Sequence, residues 1–312
     1  MRVGSMFAGI GGICLGFRQA GAMVVWANEI DRYACATYRH NFPDTLLAEG
    51  DIRKIDLTEI PDIDVLTAGL PCQSFSVMGN QKGYADPRGT MYFEILRVID
   101  AKRPGIVLLE NVKNLVQHDN GRTFITIYNT LAERGYGVRY AVLGSHTHAN
   151  IPQYRDRIFI AAFSDFNVME RFAFPDEVPL TAKINDLIDR NTPVESHYYY
   201  IPGNRYYEIL NGRMTDNTAI YRIDDYGAAK RTWRIAPTLK ANMGTYHERV
   251  PLVRDAYGIR KMTPQECLAL QGFPKKFCFP DIPKREIYKQ LGNTVCVRLI
   301  RIIARNIENL EN

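Results

Sequence analysis

Val3-Gly-Ser-Met-Phe7-Ala-Gly9-Ile10-Gly11-Gly12 begins as a short apolar run and breaks into glycines, and a helical apolar pattern, Ile13–Ala20, follows at once. A strand that ends in a glycine turn and feeds a helix is the first half of a β-α-β unit. Outward from it the rhythm repeats. Further strands are expected at Met23–Ala27, Val65–Ala68, Ile106–Leu109, Tyr140–Leu143 and Ile158–Ala162, and helices at Asp31–Asn41, Met91–Lys102 and Thr123–Arg134. Alternation of this kind predicts a doubly wound α/β domain with a mostly parallel sheet. After Phe163 the rhythm stops, and residues 164–260 are rich in Tyr, Asn, Asp, Pro and Arg, which predicts a smaller irregular or β-rich domain. Thr263-Pro-Gln-Glu266 then reads as a capping box closed by Gly272, and an amphipathic helix at about 294–310 ends the chain.

Composition narrows the function classes. The 312 residues are 46% hydrophobic and 23% charged, ordinary for a globular protein. Apolar runs such as Ile158–Phe163 fall far short of the roughly 18 residues a membrane span needs. The first residues lack the apolar core of a secretory signal, so a cytoplasmic protein without membrane contact is expected. Six scattered cysteines without a C-x-x-C pair predict neither a disulfide framework nor a bound metal. The net charge of +5 is uneven: residues 1–150 are balanced, and the whole excess lies in residues 151–312. Eight basic side chains between Lys230 and Lys261, interleaved with Trp233, Tyr246 and Tyr257, suit phosphate neutralisation, although an ordinary solvated surface reads the same way.

Four constellations carry possible chemistry. The glycine turn, with Glu29 ending the second strand, suits a nucleoside: glycines let the backbone approach a ligand, and an acid at that strand tip holds ribose hydroxyls. A G-x-G-x-x-G fingerprint would need glycine where Cys14 stands, which disfavours pyrophosphate. A tight strand-to-helix connection explains the same glycines. Gly69-Leu-Pro71-Cys72-Gln73-Ser-Phe-Ser76 places Cys72 at the carboxyl edge of the sheet, ahead of a polar 17-residue run to Gly89, a length typical of functional lids. An inert buried thiol is the plainer alternative. Ile106–Glu110 delivers a carboxyl group at the tip of an apolar strand, an expensive arrangement unless the acid is paired or used. Gln153-Tyr-Arg155-Asp-Arg157 leads into another strand, where alternation is expected to put Arg155 and Arg157 on one face, sharing an anion or a polar ligand.

In this order and spacing the constellations resemble the DNA (cytosine-5) methyltransferases. Asp51-Ile52, Glu110-Asn-Val112, Ala236-Pro-Thr-Leu239 and Gln290-Leu-Gly-Asn-Thr-Val295 extend the similarity over nearly the whole chain. The resemblance implies a Rossmann-like catalytic domain of residues 1–175 completed by 290–312, and a target-recognition domain of 176–289. It implies methyl transfer from S-adenosylmethionine, with release of S-adenosylhomocysteine, to carbon 5 of a flipped-out cytosine in double-stranded DNA through a covalent bond to Cys72. Glu110, Arg155 and Arg157 are implied as its catalytic partners. Phe7, Gly9, Ile10, Gly11, Gly12, Glu29, Ile30, Asp51, Ile52, Pro71, Asn293 and Val295 are implied around the cofactor. Gln73, Ser76, Arg88, Thr238 and Lys240 are implied at the DNA. The compact length resembles a bacterial or phage restriction-modification enzyme, a monomer whose cognate endonuclease need not touch it. One departure is Asn150, where the family has glycine before Ile-Pro-Gln; Asn tolerates positive φ, so the turn is expected to survive.

Three other functions fit parts of the pattern. Transfer RNA is the substrate of one branch of the family, but the long 164–260 segment favours DNA. A nucleotide-dependent oxidoreductase shares the sheet but lacks the third glycine. A non-catalytic DNA-binding relative is disfavoured because Cys72 and Glu110 are both present.

Overall fold

The computed structural model describes residues 1–70, 90–223, 229–232, 234–246 and 249–310. Pro71, Cys72, Gln73, Ser76 and Arg88 lie outside the described residues. The chain forms two compact units, Met1–Gly144 with Asp156–Asp176 and Leu299–Asn312, and Ser145–Arg155 with Glu177–Arg298.

The first unit is built on β1 (Arg2–Met6), β2 (Met23–Glu29), β3 (Leu46–Glu49), β4 (Val65–Gly69), β5 (Ile106–Val112), β6 (Gly137–Gly144) and β7 (Asp156–Phe163), in the spatial order β3-β2-β1-β4-β5-β7-β6. β1 to β5 run parallel, and β7 inserts antiparallel to both β5 and β6. β1, β4 and β5 are buried along nearly their whole length, as continuous apolar runs in a covered parallel sheet must be. β3 is absent from the sequence reading because it is a four-residue edge strand that, among the described residues, pairs only with β2.

Helices α1 (Gly12–Ala20), α2 (Arg32–Asn41), α3 (Thr90–Lys102) and α4 (Arg122–Ala132) follow strands as expected. Asp31 caps α2 by accepting from the N–H groups of Tyr33 and Ala34. The short α5 (Ser145–His148) opens the second unit's first segment, and α6 (Phe166–Arg171) follows β7.

The second unit holds a five-stranded antiparallel sheet ordered β10-β9-β11-β12-β8, made from β8 (Tyr199–Tyr200), β9 (Ile220–Ile223), β10 (Ala229–Thr232), β11 (Leu252–Asp255) and β12 (Gly258–Lys261). With it go α7 (Tyr207–Arg213), α8 (Pro264–Leu270) and α9 (Lys284–Asn293). Glu266 accepts from Thr263 N at 2.7 Å in the expected capping box. The same carboxylate takes both arms of the fully buried Arg260 at 2.8 Å, and Asp255 accepts a third bond at 2.5 Å. Burial lowers the Arg260 pKa, but Glu266 and Asp255 more than offset that and raise it, so the cation ties β12 to the start of α8.

The last helix, α10 (Val297–Glu308), buries Leu299, Ile300, Ile303, Ala304 and Ile307. A Cβ on Gly16 of α1 would stand 2.5 Å from Ile300, so the two helices meet at a glycine. The grouping differs from the sequence expectation in one respect: residues 145–155 and 290–298 pack with the second unit. α9 escaped the reading because its apolar stripe is short, Ile287, Tyr288 and Leu291, behind a charged first turn.

Candidate active site

Strand order reverses at β1, flanked by β2 and β4, and the carboxyl ends of such strands open the crevice where ligands bind in open α/β sheets. Phe7 has φ +53, Gly9 φ +57 and Gly11 φ +88, so the chain turns sharply out of β1 through three left-handed residues. The two glycines are required for different reasons. A Cβ on Gly11 would lie 2.3 Å from the Phe42 ring, whereas a Cβ on Gly9 would meet nothing within 4 Å, so that face of the turn stands open. Ile10 and Gly12 are buried behind it.

Glu29 lies beside the turn. Its carboxylate accepts from Gly9 N, Ile30 N and Asp31 N, each at 2.8 Å, which locks the turn to the end of β2. Ile30 next to it is 64% exposed, an apolar side chain standing at the rim of the crevice. Asp51 starts a short helical turn at Ile52–Lys54, and the Arg53 guanidinium beside it holds its carboxyl below the usual range. Ile52 is buried, and its carbonyl accepts from Arg97 of α3 at 2.7 Å. Sequence reasoning missed Asn28, whose side chain donates to the carbonyls of Ala48 and Gly50 and so fixes the approach to Asp51. A buried Asn directly before a strand-end acid was the available signal.

On the other side of β1, Glu110 lies in the buried part of β5, one residue before its end at Asn111, and Arg157 of β7 reaches it at 2.9 Å, Nε to Oε1. Glu110 opposes Phe159 and Val112 opposes Arg157, so the ion pair is a diagonal one on a single face. Their side chains are 10% and 15% exposed. Leu70, the last described residue before Pro71 and Cys72, donates its N–H to Glu110 O at 3.1 Å. Its own carbonyl accepts from Asn111 Nδ2 at 3.3 Å. Asn111 therefore anchors the peptide leading into the Pro-Cys-Gln segment, a role the sequence reading did not give it. A Cβ on Gly69 would stand 3.8 Å from Glu110 Oε2 and 3.9 Å from Phe7 O, so the ends of β1, β4 and β5 converge.

The described cysteines include three that are held as thiols. Burial pushes Cys14 and Cys267 up, and it raises Cys35 to about 12. These sulfurs are packing groups rather than thiolate nucleophiles. Among the described residues no cluster of His, Cys, Asp and Glu could hold a metal, and no helix is long and apolar enough to cross a membrane.

Arg155 corrects the expectation that it stands beside Arg157 on one strand face. β7 begins only at Asp156, so strand alternation does not extend to Arg155. Arg155 is 2% exposed, and its guanidinium donates to the main-chain carbonyls of Leu239, Gly292 and Thr294 in the second unit. Arg157 pairs with Glu110, whereas Arg155 donates to carbonyl dipoles. Also in the second unit, Thr238 Oγ1 donates to Tyr154 O, Lys240 and Asn293 are exposed, and Val295 is buried. Asn150 adopts φ +48, and its side chain bonds Thr181 and Ala182, which glycine there could not do.

A doubly wound sheet with a strand-end site hosts many chemistries, and comparison with known proteins supplies the class. The chain belongs to the C-5 cytosine-specific DNA methylase family, whose model matches residues 1–309. It is 45% identical over 310 residues to the Type II methyltransferase M.Bsp6I of Bacillus sp. (strain RFL6), covering 98% of both chains. It is 38% identical to the Type II methyltransferase M.NlaX of Neisseria lactamica, covering 97% of this chain and 95% of that one. Among solved structures, the Entamoeba histolytica methyltransferase EhMeth shares the fold, with a TM-score of 0.76 at 19% identity, over 100% of this chain and 99% of that one.

Proposed function

We propose that the protein methylates carbon 5 of a cytosine flipped out of double-stranded DNA within a short specific sequence, as the modification enzyme of a Type II restriction-modification system in the cytoplasm. The observation that carries this reading is the Glu110–Arg157 pair at the end of β5, bonded through the Glu110 carbonyl to the peptide that leads into Pro71-Cys72. It stands next to a glycine turn with an open face and an exposed apolar rim. That turn fits a nucleoside: Phe7 and Ile30 would flank the adenine, Glu29 has carboxylate lone pairs for ribose hydroxyls, and Asp51 with Ile52 would border the base. Gly9, Ile10, Gly11 and Gly12 would shape the turn, while Pro71, Asn293 and Val295 are cofactor contacts on the family's pattern.

Carbon 5 of cytosine is a poor nucleophile. The Cys72 thiolate adds to carbon 6, forming a C–S bond, and the electron pair displaced from the ring moves toward N3, which takes a proton held with Glu110. Arg157 binds the ring oxygen O2 and fixes the Glu110 carboxyl. S-adenosylmethionine, when bound, supplies an electrophilic methyl group and leaves as S-adenosylhomocysteine. Carbon 5 gains the methyl, a base such as water removes its proton, and expulsion of Cys72 restores the ring double bond. Flipping the base costs a few kcal/mol, offset by contacts from Gln73, Ser76 and Arg88 and from Thr238 and Lys240. The enzyme would act as a monomer, with no required contact to its endonuclease.

Purified protein, labelled S-adenosylmethionine and either duplex DNA or transfer RNA test the reading side by side. Label in DNA, located by bisulfite sequencing at one cytosine of a recurring sequence, is the expected result. Label confined to RNA, or none, would contradict it.

A further inference from the structure

Gln153 and Arg155 send their side chains to main-chain groups of segments far apart in sequence. Gln153 Nε2 donates to Leu270 O at 2.6 Å, and its Oε1 accepts from Leu239 N at 3.3 Å. Gln271, equally buried, donates to Leu291 O at 3.0 Å. Arg155 Nη1 donates to Leu239 O at 3.0 Å, and Nη2 to Gly292 O at 3.1 Å and to Thr294 O. Ala236 pairs with the same stretch, through Tyr154 N to Ala236 O at 2.9 Å and Ala236 N to Pro152 O at 2.7 Å. An independent contact repeats the connection: a Cβ on Gly292 would stand 2.1 Å from the Lys240 carbonyl carbon, so α9 and the 238–241 segment touch backbone to backbone.

The chemistry suits arginine alone. A planar guanidinium has five donors in a fixed fork and reaches carbonyls on two segments at once, whereas an ammonium is a point donor. We propose that Arg155 is a positioning residue that sets Thr238 and the Asn293-Thr294-Val295 stretch in one register, so that the segment meeting DNA and the segment meeting the cofactor move as one piece. The inference rests on the function proposed above, in which Thr238 serves DNA and Asn293 and Val295 serve the cofactor. Arg155 then has no contact with the reacting base, and Arg157 alone supplies the cation beside Glu110.

The test uses the full chain with Arg155→Met, which matches the length without donors, and Arg155→Lys. S-adenosylhomocysteine affinity is read by calorimetry, and KM for duplex DNA and kcat by methyl transfer. In Arg155→Met, Kd and KM should rise together by about tenfold or more with kcat within about threefold, and Arg155→Lys should fall between Met and wild type. A kcat loss of about 100-fold with both constants unchanged would make Arg155 a catalytic residue and overturn the proposal. A rise in only one constant, no change in any, or loss of the cooperative melt in Arg155→Lys would overturn it too. Wild-type protein that transfers no methyl group to DNA would sink the functional reading itself, whereas an active wild type whose Arg155→Lys variant keeps both constants sinks this inference alone.

Discussion

Glu110 and Arg157 hold each other from adjacent strands, nearly out of water, so each fixes the other's rotamer before a base arrives. That preorganisation is what an acid needs if it is to meet N3 at the moment charge develops there. Glu110→Gln should therefore lower kcat by roughly 10²–10³ while S-adenosylhomocysteine affinity, read by calorimetry, stays within about twofold. Unchanged kcat would remove the acid from the chemistry. At this scale the sequence was readable where a side chain ends a strand, as Glu110 and Glu29 do. It was unreadable for Arg155, whose acceptors are carbonyls 84 to 139 residues away, since main-chain groups leave no mark in residue identities.

At the scale of elements, the turn out of β1 and the turn at Asn150 make contrasting predictions. Gly11 has φ +88 and no room for a Cβ against Phe42, so Gly11→Ala should cost about 3 kcal/mol, a fall in Tm of roughly 5–10 °C by calorimetry. Asn150 has φ +48 but gains three hydrogen bonds to Thr181 and Ala182. Asn150→Ala should lower Tm more than Asn150→Gly, because alanine loses the bonds and keeps the strain, whereas glycine loses only the bonds. The reverse order would show that backbone strain at this turn contributes nothing. Buried parallel strands announced themselves as apolar runs. β3 did not, because an exposed edge needs no apolar pattern, and the antiparallel insertion of β7 did not, because strand order is decided by tertiary contacts.

For the whole molecule, the chain leaves the first unit at Gly144, returns at Asp156, leaves again after Asp176 and closes with α10. Ile300, Ile303 and Ile307 are fully buried, so removing residues 299–312 should abolish cooperative unfolding of the first unit, which circular dichroism would report as a lost transition. The two-domain division was legible as a change of rhythm after Phe163, whereas the assignment of 145–155 and 290–298 to the second unit was not, since it rests on carbonyl-directed bonds. The basic excess of residues 151–312, together with Arg88, predicts salt-dependent DNA affinity. Arg88→Ala should reduce the slope of log K against log salt by about one, and an unchanged slope would contradict a phosphate contact.

The chemistry proposed for Cys72 is open to a direct assay. Duplex DNA carrying 5-fluorocytosine at the methylated position, incubated with the protein and S-adenosylmethionine, should yield a covalent complex, because fluorine at carbon 5 cannot leave as a proton does. Peptide mass spectrometry should place the bond on Cys72, and Cys72→Ser should form no complex and transfer no methyl group while still binding S-adenosylhomocysteine. Methyl transfer by Cys72→Ser, or an adduct on any other residue, would contradict the account.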